Sequence, residues 1–191
     1  MISSPNEFLI TSLPRCRTAW LTNLFLTERT HCFHILSASH DYRAMRWLFE
    51  KTGKEYVGIC EPDLVALNRV NYFSAIDKTI PVVVINRNID DSLDACFMAT
   101  SFETVEEQTK LMDERFELLQ FVKQEFSNVL SFDFTNLTTE NVCKIWDHCV
   151  PSIKIDLMRV KQLQEFNIVT KCCNPTSLHR YRQMHINLSK E

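Results

Sequence analysis

The chain has 191 residues, enough for one domain with a sizeable core and too few for two comfortable ones. Hydrophobic residues make up 45% and charged residues 24%, the balance of a globular protein, and the net charge of −3 excludes a global basic field that would invite nucleic acid or an anionic membrane. No apolar run approaches the ~20 residues of a membrane span, and the start, "MISSPNEFLI", lacks the basic and long apolar regions of a signal peptide.

Apolar β-type runs alternate with amphipathic stretches of helical length. The first run, residues 7–11, leads through "SLPRCRTAW" into a predicted helix over 18–26. A strand over 32–36 follows, then a helix over 42–51, a strand over 55–60 and a helix over 62–70. The run "PVVVIN" marks a strand over 80–86, continuous and β-branched as in a strand buried on both faces. Helices over 90–100 and 105–126, a strand over 129–134, and helices over 139–148 and 155–165 complete the series. In 105–126 the inward stripe is read as Leu111, Arg115, Leu118 and Val122, widened by Phe116, Leu119 and Phe126. Trp47, Trp146 and the phenylalanines read as core, and Arg43 and Arg46 as a solvated helix face.

Strand–helix alternation predicts an α/β fold: a three-layer parallel sheet of about five strands flanked by helices. Residues 1–168 form the single domain. Residues 169–191 form a basic tail, with four Lys/Arg against one acid, that packs on the domain or reaches a protein partner. Ligands of such sheets bind beyond the carboxyl ends of the strands. The places to look are therefore residues 12–17, 34–40, 61–63, 87–92 and 133–136.

The eight cysteines are scattered, mostly in apolar runs, without a CxxC pair. Together with the missing signal peptide, they predict free thiols in a reducing, cytoplasmic compartment. "HCFH" (residues 31–34) has the look of a metal fragment. In a strand, however, residues three apart point to opposite faces, so no metal site is expected.

"SLPRCRTAW" follows a strand and opens a helix, the order in which proteins hold a phosphate, yet it contains no glycine. A helix beginning near Thr18 presents unpaired N–H groups and the positive end of its dipole to the loop. Arg15 and Arg17 add bidentate donors matched to phosphate or sulfate oxygens. Thr18 adds a hydroxyl, Pro14 stiffens the turn, and Trp20 and Leu21 anchor the helix. The alternative is a polar surface turn with two solvated arginines. The glycines and lysine of GxxxxGK[ST] are missing, and "VVVIN" ends without a magnesium-binding aspartate, which argues against a nucleoside triphosphatase.

"FLITSLPRCRTAWLTNLF" resembles the 5′-phosphosulfate loop of the P-loop-fold sulfotransferases, and most of all that of the short bacterial and phage sulfotransferase-like P-loop proteins. Pro14, Arg15, Thr18 and Trp20 match the motif. Cys16 stands where the family has Ser, Arg17 where the wider family has Gly, and Ala19 where a second Thr is frequent. "VVVINRNIDDSLDACF" is similar to the strand and helix start that hold the cofactor's 3′-phosphate. Arg87 matches; Ala95 occupies the serine position, and Ser92 is displaced from it by three. "CFHILSA" is similar to a CFHE run with Ile35 in place of the acid. "YVGICEPDL" and "IWDHCVPSIKIDLMRVKQLQEFNI" extend the resemblance to about residue 168.

The resemblance implies a P-loop NTPase-like fold and transfer of a sulfuryl group from 3′-phosphoadenosine 5′-phosphosulfate to a hydroxyl or amine acceptor, without metal. It implies that Pro14, Arg15, Cys16, Arg17 and Thr18 hold the 5′-phosphosulfate and that Arg87, with Ser92, holds the 3′-phosphate. Arg15 stabilises the leaving phosphate, and His34 is the base by its place at a strand end. His40, Glu61 and Asp63 are alternative bases on the same edge. The departures at Ala19, Ile35 and Ala95 keep two other functions open: a phosphoryl transferase, and a non-catalytic interaction or assembly component such as a virion part. The acceptor, small molecule or protein, has no signature. A phage origin would place the protein in the host cytoplasm or the virion.

Overall fold

The computed structural model describes residues 5–14, 16, 18–34, 41–97 and 104–165, with the side chains of 94–97 and 105 excepted. Five strands carry the fold: β1 (Asn6–Ser12), β2 (Thr30–His34), β3 (Tyr56–Glu61), β4 (Val82–Asn86) and β5 (Val129–Asp133). They pair in the order β2-β3-β1-β4-β5, every pair parallel. Eight helices accompany them among the described residues: α1 (Thr18–Leu24), α2 (Tyr42–Lys51), α3 (Leu64–Arg69), α4 (Tyr72–Ala75), α5 (Ile89–Phe97), α6 (Val105–Glu125), α7 (Thr139–Cys149) and α8 (Leu157–Glu165). None of the described helices is long and apolar enough to cross a membrane.

The strands form where β-branched and aromatic residues run together. Val82–Ile85 is buried on both faces, and so are all six residues of β3. Helices α1, α7 and α8 pack together over one face of the sheet. On this face Phe8 lies tilted against Phe25, which stacks on Trp146, with centroids 4.8 and 5.1 Å apart. Helices α3, α5 and α6 pack together on the other. There α2 joins through Phe33–Phe49 stacking, Tyr42 edge-on to Tyr72, and an ion pair from Arg46 to Glu7. This is the predicted three-layer α/β architecture with its five-stranded parallel sheet.

Several local expectations are corrected. The second strand begins at Thr30, two residues early, because Thr30 Oγ1 donates to the Phe25 carbonyl at 2.6 Å and pairs with the Thr27 hydroxyl. Residues 35 and 36 lie outside the described residues. Helix α4 has no counterpart in the sequence reading; it follows Asn71, which takes φ 56°. The inward stripe of α6 is Gln108, Met112, Leu119 and Val122, with Arg115 beside it; Phe116 and Phe121 are exposed. Trp47 is exposed on the outer side of α2, where Lys51 lies 5.6 Å from its ring. Arg46 is paired rather than solvated.

Strand order fixes where a ligand can sit. The chain leaves β1 toward the β3 side to make β2, and leaves β4 toward the opposite edge to make β5. The connections diverge between β1 and β4, which opens a crevice beyond their carboxyl ends. The segments that follow these strands are "LPRCRT" and "RNIDDS".

Candidate anion-binding site

From the β1 side the crevice receives Ser12, Leu13, Pro14, Cys16 and Thr18. Leu13 and Cys16 are fully buried, so the loop is packed into the protein rather than draped over it. Arg15 and Arg17 lie outside the described residues. The Cys16 thiol donates to the Pro14 carbonyl at 3.7 Å, closing the turn. Burial pushes this thiol up to about 11, against the opposing influence of the Arg87 charge and of contacts with Ser12, Ser92 and Arg87. Those influences place loop, strand end and helix start around one sulfur atom.

From the β4 side come Arg87 and Ser92. The Arg87 guanidinium lies 4.6 Å from the centroid of the Phe134 ring, in the 3-10 turn Phe134–Asn136 that follows β5. A guanidinium held over an aromatic face is restrained without its charge being neutralised. Ser92 stands in the first turn of α5 with no exposed surface, and among the described residues its Oγ has no hydrogen-bond partner; its approach to the Cys16 sulfur is not a hydrogen bond of normal geometry. A buried hydroxyl without a partner costs stability, so a group that supplies the missing bond is favoured there. The N-terminus of α5 itself is closed: Asn88 Oδ1 accepts from the N–H groups of Asp90 and Asp91 at 2.7 and 3.3 Å. Asp90 and Asp91 are exposed and acidic at this end. Ala95, at the family's serine position, lies in α5.

On the far side of β1 stands His34. Its Nε2 lies 3.1 Å from Thr18 Oγ1, beneath the first turn of α1. The Thr18 carbonyl accepts from the Cys60 thiol at 3.3 Å and from Thr22 Oγ1 at 2.9 Å. Thr18 is thus fixed by groups from β2, β3 and its own helix. His40 and Ile35 lie outside the described residues.

The end of β3 carries a cluster with more order than its sequence suggests. Glu61 is fully buried, and its Oε1 accepts from the Asp63 N–H at 3.0 Å. Asp63 caps α3 by accepting from the Ala66 N–H at 3.3 Å. Arg115 reaches Asp63 from α6 at 3.6 Å, and among the described residues its buried Nε has no partner. Thr11 Oγ1 donates to the Glu61 carbonyl at 2.9 Å, tying this end of β3 to β1.

The structure therefore brings Cys16 together with Pro14, Arg87 and Ser92, and it pairs Thr18 with His34 and Cys60. The sequence analysis singles out residues 133–136 but gives Phe134 no role, and it reads Arg115 only as part of the helical stripe. Phe134 has a faint signal, an aromatic at a carboxyl strand end; Arg115 has only its place in the helical stripe. Among the described residues no group of three or more His, Cys, Asp or Glu side chains is placed to hold a metal ion. Cys16, Cys32, Cys60, Cys143 and Cys149 are free thiols.

Comparison with protein-family models finds none that matches the chain, and comparison with curated proteins finds no match.

Proposed function

We propose that the protein is a sulfotransferase-like enzyme that binds 3′-phosphoadenosine 5′-phosphosulfate and transfers its sulfuryl group to a hydroxyl or amine acceptor. The observation that carries this reading is the convergence of Cys16, Arg87 and the unpartnered, buried Ser92 hydroxyl at the β1–β4 crevice. A phosphate there would complete the hydrogen bonding of Ser92 and meet the Arg87 charge. The P-loop-like fold implied by the loop sequence fits the strand order and the crevice.

In this reading Arg87 and Ser92 hold the 3′-phosphate, and the loop with Arg15, Arg17 and Thr18 holds the 5′-phosphosulfate. When bound, the nucleotide supplies an activated sulfuryl group: its S–O bond to the 5′-phosphate breaks as the acceptor atom bonds to sulfur. Arg15 and the Thr18 hydroxyl stabilise the charge left on the phosphate. The acceptor proton passes to a base on this edge, His34 or Glu61. The acceptor is a small molecule or a protein, and the tail at 169–191, which lies outside the described residues, is a candidate contact for a protein partner.

The test is calorimetric titration with adenosine 3′,5′-bisphosphate, with ATP–magnesium as comparator. We expect magnesium-independent binding that weakens at least tenfold in Arg15→Ala and in Arg87→Ala, as loss of a charged hydrogen bond requires. Wild-type protein that ignores the bisphosphate would sink the proposal, and magnesium-dependent ATP turnover would move it to phosphoryl transfer. One feature favours a second reading, a non-catalytic assembly component such as a virion part. Asp90 and Asp91 stand at the Arg87 side of the crevice and repel a bisphosphate. A stoichiometric protein complex that forms without nucleotide and survives Arg15→Ala would support it.

A further inference from the structure

We propose that His34 is a positioning residue that acts through Thr18, and that it is not the base for the acceptor. The inference rests on the nucleotide-binding reading of the loop and assigns a role within that site. Three observations carry it. The imidazole Nε2 is already engaged with Thr18 Oγ1 at 3.1 Å. His34 ends β2, two strands from β1, and its contact with the loop side runs through Thr18, the first residue of α1. Its register partner is Cys60, whose thiol donates to the Thr18 carbonyl, so β2 and β3 together brace the first residue of α1.

The physical consequence concerns one hydroxyl. A threonine O–H has a single proton and accepts through its lone pairs. If the proton points at the imidazole, it is withdrawn from the loop. If Nε2–H donates to Oγ1, the Thr18 proton is released to point at an anion. A histidine in this tautomer therefore sets the direction of the Thr18 donor before the ligand arrives, and a donor that needs no reorientation contributes more to binding.

The test is a double-variant cycle on the full chain, read as the dissociation constant of adenosine 3′,5′-bisphosphate by calorimetry. The variants are His34→Ala, His34→Gln, Thr18→Val and the pair His34→Ala with Thr18→Val, each checked for an unchanged thermal midpoint. A positioning role predicts binding about tenfold weaker in His34→Ala, the size of one hydrogen bond to a charged group. It predicts recovery to within about threefold in His34→Gln, whose amide can donate from the Nε2 position. It predicts no further loss when His34→Ala is added to Thr18→Val. An acceptor base leaves binding of the product nucleotide unchanged, so a His34→Ala variant that binds like wild type overturns the inference. Additive losses, or failure of His34→Gln to recover with the fold intact, overturn it equally. Wild-type protein that does not bind the bisphosphate overturns the proposed function itself, a result separable from all of these.

Discussion

Gly58 sits in the middle of β3, opposite Phe8 of β1, and the register pairs the two directly. A methyl group built at Gly58 would lie 2.2 to 2.4 Å from three atoms of the Phe8 ring. Carbon atoms rest about 3.5–4.0 Å apart, so the ring would have to retreat by more than about 1 Å. It has nowhere to go: Phe8 lies against Phe25, which stacks on Trp146 at an interplanar angle of 7°. Gly58→Ala is therefore an overpacking substitution at the upper end of the usual cost, about 3 kcal/mol. The reduced entropy of the unfolded chain returns about 0.4–1 kcal/mol. A net loss of about 2 kcal/mol should appear as a lower urea midpoint with unchanged slope, followed by far-ultraviolet circular dichroism. Phe8→Leu removes the obstructing ring atoms at its own cost in cavity. Combined with Gly58→Ala it should cost at least about 1 kcal/mol less than the sum of the single changes. A neutral Gly58→Ala, or strict additivity, would refute the placement of the Phe8 ring over Gly58 and with it the central register of the sheet.

Two further outcomes follow from the site and its surroundings. Burial raises the thiols of Cys16, Cys32 and Cys149 above the ordinary cysteine value of 9.0, that of Cys16 to about 11. The unfolded thiol ionises first, so the contribution of Cys16 is complete below about pH 9 and is lost as pH rises toward about 11. Urea midpoints across pH 8–11 should fall less steeply for Cys16→Ala than for wild type; parallel profiles would contradict this. Phe134→Leu removes the face on which Arg87 rests and should weaken adenosine 3′,5′-bisphosphate binding about two- to fivefold in calorimetry, the worth of a partly exposed cation–π contact. An unchanged affinity would mean that Phe134 does not position the guanidinium.

The layers of the fold were legible because burial on both sides of a parallel sheet forces apolar runs, and "VVVI" and "YVGIC" are such runs. What was not legible depended on contacts distant in sequence. The apolar run places the second strand from Cys32, yet the strand begins at Thr30, which a hydrogen bond to the Phe25 carbonyl holds in place. Trp47 reads as core by type, but α2 turns Met45 and Phe49 inward and leaves it outside. In the site, Arg87 and Ser92 could be placed because they directly follow β4. The burial of Glu61 and the reach of Arg115 to Asp63 could not, since each depends on how α3 and α6 cross the end of the sheet.

The lack of glycine in the loop has a physical account for its described residues; Arg17, at the family's glycine position, lies outside them. Glycine serves a phosphate loop in two ways, by adopting positive φ and by letting backbone approach the anion closely. Among the described residues positive φ occurs only at Gly53 and Asn71, neither of them near the loop. Leu13, Pro14 and Cys16 therefore need no glycine for their backbone shape. Close approach is a different requirement, and in the proposed function side-chain donors would meet it instead. Thr18 is held from behind by His34, and Arg87 is held from the side by Phe134. Long donors cost entropy when they must order on binding, and a supporting contact removes part of that cost in advance. If the crevice binds an anion as proposed, His34 and Phe134 contribute by restraining a donor, and their removal should be felt in proportion to the freedom that donor regains.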